Sequence, residues 1–205
     1  MNSYEVIKNT INFQGPDRLG LDYLIGDTLV SDFCWQNVEY PDKIHSKRIE
    51  DNLELWEDEW NNTWARVVTD KTTKGEVYKG AIENWSQLET YILPDLANPI
   101  LYKDIEKKFY IAADKYKLGC LPGFMFSISR QLRRFDRFLI DIKLESKYVI
   151  ELISRIEKLL SKMIVQYAQA GANGVFFCED WGTQERLLIS PVDWQIFFKP
   201  GFQRL

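Results

Sequence analysis

The chain has 205 residues and a formal net charge of −4, with 45% hydrophobic and 27% charged residues. At roughly 150 residues per domain, that is one domain or a piece of a larger one. Its 7 Trp, 10 Tyr and 12 Phe exclude a disordered chain, the lack of any window of ~18 uncharged apolar residues excludes a membrane helix, and scattered Lys and Arg argue against a nucleic-acid surface.

Met1–Glu5 has neither the basic nor the apolar stretch of a signal peptide. Cys34, Cys120 and Cys178 are odd in number and far apart. That argues against a disulfide framework and for a reducing, cytoplasmic compartment. His45 is the single histidine and there is no C-x-x-C pair. A catalytic zinc needs about three protein ligands, so the residue pattern predicts no metal site and leaves buried thiols and a surface histidine.

Residues 2–12 predict a short helix that stops before Gln14-Gly15-Pro16-Asp17-Arg18, and Leu19–Ile25 reads as a strand. Residues 27–60 are aromatic and irregular. The group Trp35, Trp56, Trp60 and Trp64 reads as core or lid more readily than as a ligand box. Trp64–Val68 and Glu76–Ile82 are two β-type runs, with Thr69–Gly75 as a hairpin turn. Ser86-Gln87-Leu88-Glu89 has the capping-box pattern. Asn98-Pro99 opens a helix with Leu101, Ile105, Phe109, Ala112, Ala113 and Tyr116 on one face. Lys117–Leu121 is a short apolar strand.

Lys147–Ala170 carries a single apolar stripe, from Val149 through Ile156 and Leu160 to Tyr167, and Gly171 supplies its C-cap. Gly174–Cys178 follows as a run without alternation, which predicts a strand buried on both faces. Ser190-Pro191 opens a last helix with Trp194, Phe197 and Phe198 inward. Strands alternating with long helices after residue 99 predict βαβ units and a parallel sheet.

In such folds the site lies at the carboxyl ends of the strands. After Gly174–Cys178 come Glu179, Asp180, Trp181 and Gln184. Two adjacent acids are costly beside an apolar strand unless they serve a cavity, so the pattern favours a functional pair at the barrel mouth over a helix-capping acidic turn. After Lys117–Leu121 come Phe124, Phe126, Ser127 and Arg130. An arginine beside two aromatics can hold a carboxylate or a flat ring, or can be a first-turn surface residue. Arg18 can bind an anionic group or pair with a nearby acid. There is no G-x-S-x-G, P-loop or G-x-G-x-x-G, and nucleophilic hydrolysis would have only His45 as its base.

Gly171-Ala172-Asn173-Gly174, then Glu179 to Gln184, then Leu188 to Trp194 and Lys199-Pro200 together resemble the uroporphyrinogen decarboxylase superfamily. The closest likeness is to its corrinoid-dependent methyltransferase branch. Gly15–Leu21, Tyr91–Asp95 and Gly123–Ser127 follow in the same order, so the resemblance covers nearly the whole chain. It implies an α/β fold, the N-terminal part of a (β/α)8 TIM barrel with an antiparallel hairpin insert near 64–82. It also implies that the methyltransferases' zinc motif lies in a part this chain does not contain, and that a partner supplies the corrinoid.

The decarboxylases' Arg-Gln-x-x-Arg motif has no counterpart in Tyr23-Leu24-Ile25-Gly26-Asp27. Their substrate tyrosine falls near Arg130, and Asp180 stands where their Asp-Ser-Trp motif has its serine or threonine. These departures favour a methyltransferase or O-demethylase component acting on a small-molecule or corrinoid substrate. A tetrapyrrole decarboxylase of porphyrin biosynthesis is the alternative, and a non-catalytic binding fragment is a second. Under the resemblance Asp180 and Glu179 are the acid–base pair. Gln184 binds substrate, Phe124, Phe126 and Trp181 form an apolar wall, and Arg18 and Arg130 converge on the same cavity. No nucleic acid or membrane is implied as a partner.

Overall fold

The computed structural model describes residues 1–25, 28–39, 47–69 and 75–205. The readings made for Gly26-Asp27, for His45 and for 70–74 of the turn fall outside the described residues. Helix α1 (Ser3–Ile11) is followed by β1 (Asp22–Ile25), β2 (Thr28–Ser31) and β3 (Phe33–Asn37). Then come β4 (Arg48–Glu50), β5 (Leu53–Glu57), β6 (Thr63–Val67) and β7 (Glu76–Lys79). Two 3-10 helices, Trp85–Glu89 and Pro99–Tyr102, lead to α2 (Lys103–Ile111) and β8 (Tyr116–Cys120). Next are α3 (Met125–Leu132), α4 (Phe135–Leu144), α5 (Ser146–Gln169), β9 (Gly174–Phe176), α6 (Pro191–Phe197) and α7 (Lys199–Arg204).

The chain divides into two compact units. The first is Met1–Glu39, Leu96–Pro122 and Lys162–Phe177; the second is Tyr40–Asp95, Gly123–Ser161 and Cys178–Leu205. In the first unit β3, β8 and β9 form a parallel sheet in that order. Asn173 sets its register: the Asn173 carboxamide oxygen accepts the Lys117 N–H at 2.9 Å and its own N–H donates to the Lys117 carbonyl at 2.8 Å. Tyr167, fully buried, clasps the sheet. Its hydroxyl donates to the Cys120 carbonyl at 2.8 Å and accepts the Val38 N–H at 3.1 Å. Its ring lies on Gly119, where a Cβ would stand 2.3 Å from ring carbons. Only glycine fits there. β1 and β2 pair with each other in a separate antiparallel hairpin.

The second unit is built on an antiparallel sheet, β4-β5-β6-β7. Asp51 and Asn52 turn β4 into β5 with φ of 45° and 68°, the two positive angles that a type I′ hairpin needs. Phe126 and Phe198 are fully buried, and Trp181 stacks on Phe126 at 4.6 Å and meets Phe198 edge-on at 5.0 Å. Full burial of such a ring contributes about 2–3 kcal/mol. Below them Arg133 and Asp141 form a buried ion pair at 2.8 Å. The Arg133 guanidinium also donates to the Ile82 carbonyl at 2.7 Å and lies 4.4 Å from the Trp85 ring centroid. These bonds hold the corner between α3 and α4, where Arg134 sits at φ 64°.

Several expectations hold and others are corrected. The helix at residues 2–12, the long helix with its Gly171 cap at φ +92°, the Asn98 cap and the Ser190 cap all form. The 3-10 helix at Trp85 is capped by Asn84 with Gln87, not by Ser86 with Glu89. The N-terminal part of an eight-stranded parallel barrel does not form. Among the described residues there are three small sheets, two antiparallel and one parallel with three strands. The strand near residues 19–25 folds back on β2, and the hairpin near 64–82 belongs to a sheet of its own. Short connections close antiparallel pairs cheaply, whereas each parallel pair needs a long crossover. β9 is not buried on both faces either. It is an edge strand, and Phe176 is 43% exposed. Among the described residues, no helix is long and apolar enough to cross a membrane.

Candidate functional site

A cleft of about 480 Å³ opens in the second unit, within the usual range for a small-molecule site. β6 and β7 provide Trp64, Glu76 and Val77, α3 provides Arg130 and Gln131, and α4 provides Phe135. The segment after Cys178 adds Asp180, Gly182, Thr183 and Leu188.

Trp64 is fixed by a local polar knot. Asp58 accepts its indole N–H at 2.6 Å together with the Trp60 and Asn62 backbone N–H groups and the Asn62 carboxamide. Asn62, fully buried, in turn accepts the Ala81 N–H at 3.0 Å. The indole also stacks on Trp56 at 6.3 Å and 12°. The cleft therefore meets a wall whose polar edge is already used.

Arg130 stands over two rings, 5.5 Å from the Phe126 centroid and 5.4 Å from that of Phe135. It forms no hydrogen bond or ion pair with another described residue, though its charge acts on Glu179. The cation–π contacts hold the guanidinium against the rings and leave its N–H donors for another partner. Asp180 is exposed on the same cleft, where its carboxylate accepts the Gly182 N–H at 3.4 Å.

Glu179 does something different. Its carboxylate accepts the Phe126 N–H at 2.9 Å, the Ser127 N–H at 3.1 Å and the Ser127 hydroxyl at 2.8 Å. It caps α3 at the end where the helix dipole favours negative charge. Burial nevertheless pushes its carboxyl above the ordinary range, against the opposing pull of those hydrogen bonds and of Arg130.

The predicted residues are thus distributed. Arg130 and Asp180 line one cleft. Glu179, Phe126 and Trp181 support it from behind: the Phe126 ring is fully buried and Trp181 half-buried. Phe124 is in the core at 2% exposure, so neither phenylalanine offers an open wall. Gln184 is exposed and does not line the cleft. Arg18 belongs to the first unit and is taken up by Asp32 in a bidentate pair at 2.6 and 2.7 Å. Asp32, itself buried, also accepts the Leu21 N–H at 2.7 Å, and the Arg18 bond holds its carboxyl well below the ordinary range. The tryptophan group divides: Trp35 packs on Phe33 and Phe176 in the first unit, Trp60 is core, and Trp56 and Trp64 stack at the cleft.

Gln131, Phe135 and Thr183 were not singled out by the sequence, and Trp64 was read with its group as core or lid before a ligand box. The spacing Asp58…Asn62-x-Trp64, an acid before an indole within one turn-and-strand unit, is the signal that fixes Trp64 at the cleft. Among the described residues no group of three or more His, Cys, Asp and Glu side chains converges as a metal site. No family model, curated protein or solved structure matches the chain. What the cleft offers chemically is one cation held over two rings and without an ion-pair partner among the described residues, one exposed carboxylate and two aromatic walls.

Proposed function

We propose that the chain holds the small-molecule substrate of a methyl-transfer reaction, as in the corrinoid-dependent branch that residues 171–200 resemble, and that the substrate is a flat compound carrying a carboxylate. The observation that carries this reading is Arg130, stacked and without a hydrogen-bonding partner among the described residues, on the same cleft as Asp180. The guanidinium takes the carboxylate bidentately, Trp64 and Phe135 take the ring faces, and Asp180 accepts a hydroxyl or holds a proton leaving or entering the substrate oxygen. Zinc and a corrinoid would supply the methyl-transfer chemistry in that branch. The described residues form no zinc ligand set, and no step assigned to them passes through either group.

The decarboxylase alternative has less support. A tetrapyrrole bears carboxylates on every ring, and among the described residues the cleft offers one arginine, Arg130, and room for one or two rings. Binding of 4-methoxybenzoate, measured by calorimetry, distinguishes the two. The charge-assisted pair is worth about 1.5–3 kcal/mol, so Arg130→Met should weaken 4-methoxybenzoate roughly tenfold to a hundredfold while 4-methoxybenzyl alcohol is unaffected. Coproporphyrin should not compete. No binding of 4-methoxybenzoate, an unchanged affinity in Arg130→Met, or tight coproporphyrin binding that depends on Arg130 would overturn the proposal.

A further inference from the structure

The segment that supplies Asp180 to the cleft has a second side. It is closed as a small hairpin by the Gly182–Leu187 bridge, with the Thr183 N–H donating to the Arg186 carbonyl at 2.8 Å and the Leu188 N–H to the Trp181 carbonyl at 2.9 Å. Its residues are dealt to two cavities. Asp180, Thr183 and Leu188 line the charged cleft. Trp181, Leu187 and Ile189 line a half-open hollow of about 240 Å³, which Pro191 and Trp194 complete from α6. One thin wall therefore separates the two spaces.

The hollow's chemistry is the reverse of the cleft's. Two indoles meet there edge to face, with centroids 6.5 Å apart, and the remaining walls are aliphatic. The one hydroxyl at its rim, on Ser190, is already engaged: it donates to the Asp193 carboxylate at 2.6 Å and accepts the Asp193 N–H at 3.1 Å. Asp193 is in turn neutralised by Lys143 at 2.7 Å. A charged or strongly polar occupant would lose its hydration without a partner in return. An apolar cavity of about 150 Å³ already accepts benzene, so this one has room for a single ring.

We propose that this hollow is a second binding site, for one small uncharged aromatic ring, and that the Asp180–Ile189 hairpin couples it to the cleft. A ring seated against the indoles of Trp181 and Trp194 presses on Leu187 and Ile189. The stretch that carries them also carries Thr183 and Leu188, which line the cleft, so that wall moves with it. The indole of Trp181, pinned by its stack on Phe126, is the fixed side of the hollow and anchors the start of the hairpin, and the stretch 182–189 is the side that yields. The coupling rests on the cleft being a site, and on nothing about methyl transfer.

Fluorobenzene is the probe, followed by ¹⁹F NMR on the intact chain, with backbone amides read in parallel. Saturable binding is expected, together with shifts of the Val77 and Gln131 amides, which line the cleft but not the hollow. Leu187→Trp fills the hollow from a side chain that is 57% exposed, and should weaken fluorobenzene at least tenfold. Leu187→Ser keeps the hollow open and should retain the coupling. These readouts need no carboxylate ligand, so failure of the 4-methoxybenzoate experiment leaves them intact. No saturable binding, binding indifferent to Leu187→Trp, or binding that leaves the Val77 and Gln131 amides unmoved would each overturn the proposal. So would self-association abolished by Leu187→Trp, which would assign the hollow to a side chain of a second copy.

Discussion

In the first unit Arg18 closes on Asp32 as a bidentate pair, and Asp32 takes a backbone N–H besides. In the second, Arg130 rests on Phe126 and Phe135 with no described hydrogen-bonding partner, on a cleft that also exposes Asp180. Both arginines sit near apolar strands in the sequence and invite the same reading. One is consumed by the scaffold, and one has no hydrogen-bonding partner among the described residues. A buried carboxylate that finds its cation inside the chain is architecture, whereas an opposed charge pair left open across a cleft is a site. The first unit, where strand ends direct the search, pairs Arg18 with Asp32, and the antiparallel unit leaves Arg130 and Asp180 on its cleft.

The largest test of this contrast lies in the second unit itself, where Arg133 is a consumed arginine beside the free one. Asp141 is its partner, and the side chains are 6% and 10% exposed. Asp141→Leu leaves the guanidinium buried with one carbonyl and one indole as company. Breaking a buried pair in this way costs about 3–5 kcal/mol, read by urea unfolding. A cost below 1 kcal/mol would mean that water reaches Arg133, and the distinction between consumed and open arginines would fail.

The same contrast explains what was legible in the sequence. Helix α5 showed in its apolar stripe, and the β6–β7 pair showed because its strands are close in sequence. β8 and β9 showed as parallel strands because α5 joins them. β3 was hidden, since its partner β8 lies about 80 residues on and no local pattern announces a parallel pair. β4 and β5 were hidden by charge: Arg48-Ile49-Glu50 and Leu53-Glu54-Leu55 alternate correctly, but the turn is Asp51-Asn52 and not the more telling Asn-Gly. At the site, Asp180 and Arg130 were visible as residue types. That Glu179 turns back to cap α3, and that Arg18 finds Asp32, depends on tertiary neighbours that sequence spacing does not encode.

A smaller effect tests the first unit's scaffold. At Gly119 an added methyl would press on the Tyr167 ring, which cannot retreat because its hydroxyl is held by Val38 and Cys120. Gly119→Ala should cost about 1–3 kcal/mol as overpacking, although alanine suits a strand better than glycine does. Gly174→Ala is the control, because there the nearest atom to a methyl is the flexible end of Leu118 at 3.3 Å and Tyr116 stands at ordinary contact. It should be nearly neutral in the same urea titration. Equal costs at the two positions would show that the Tyr167 clasp does not set the sheet's tolerance.

The smallest effect is a difference in sign. Asp32 in the first unit is held below its ordinary range by Arg18, so the unfolded chain binds more protons than the folded one in acid, and its contribution to stability is lost as pH falls below about 4. Glu179 in the second unit is raised by burial, so the folded chain holds its proton longer. Its contribution is present below the ordinary glutamate value and is lost as pH rises through the higher folded midpoint. Both effects on stability are modest. The Arg18 side chain is 38% exposed and solvent screens the pair, and the bonds from Ser127 and Phe126 offset much of Glu179's burial. Carbon-detected NMR of the side-chain carboxyls reads each group directly. Asp32 should titrate below, and Glu179 above, the values for the same residues in short peptides. Arg18→Met should bring Asp32 upward and leave Glu179 in place, while Ser127→Ala should raise Glu179 further by removing a hydroxyl donor. Midpoints displaced in the same direction would erase the contrast, because the capping carboxylate of the second unit would then be as fully compensated as the paired one of the first.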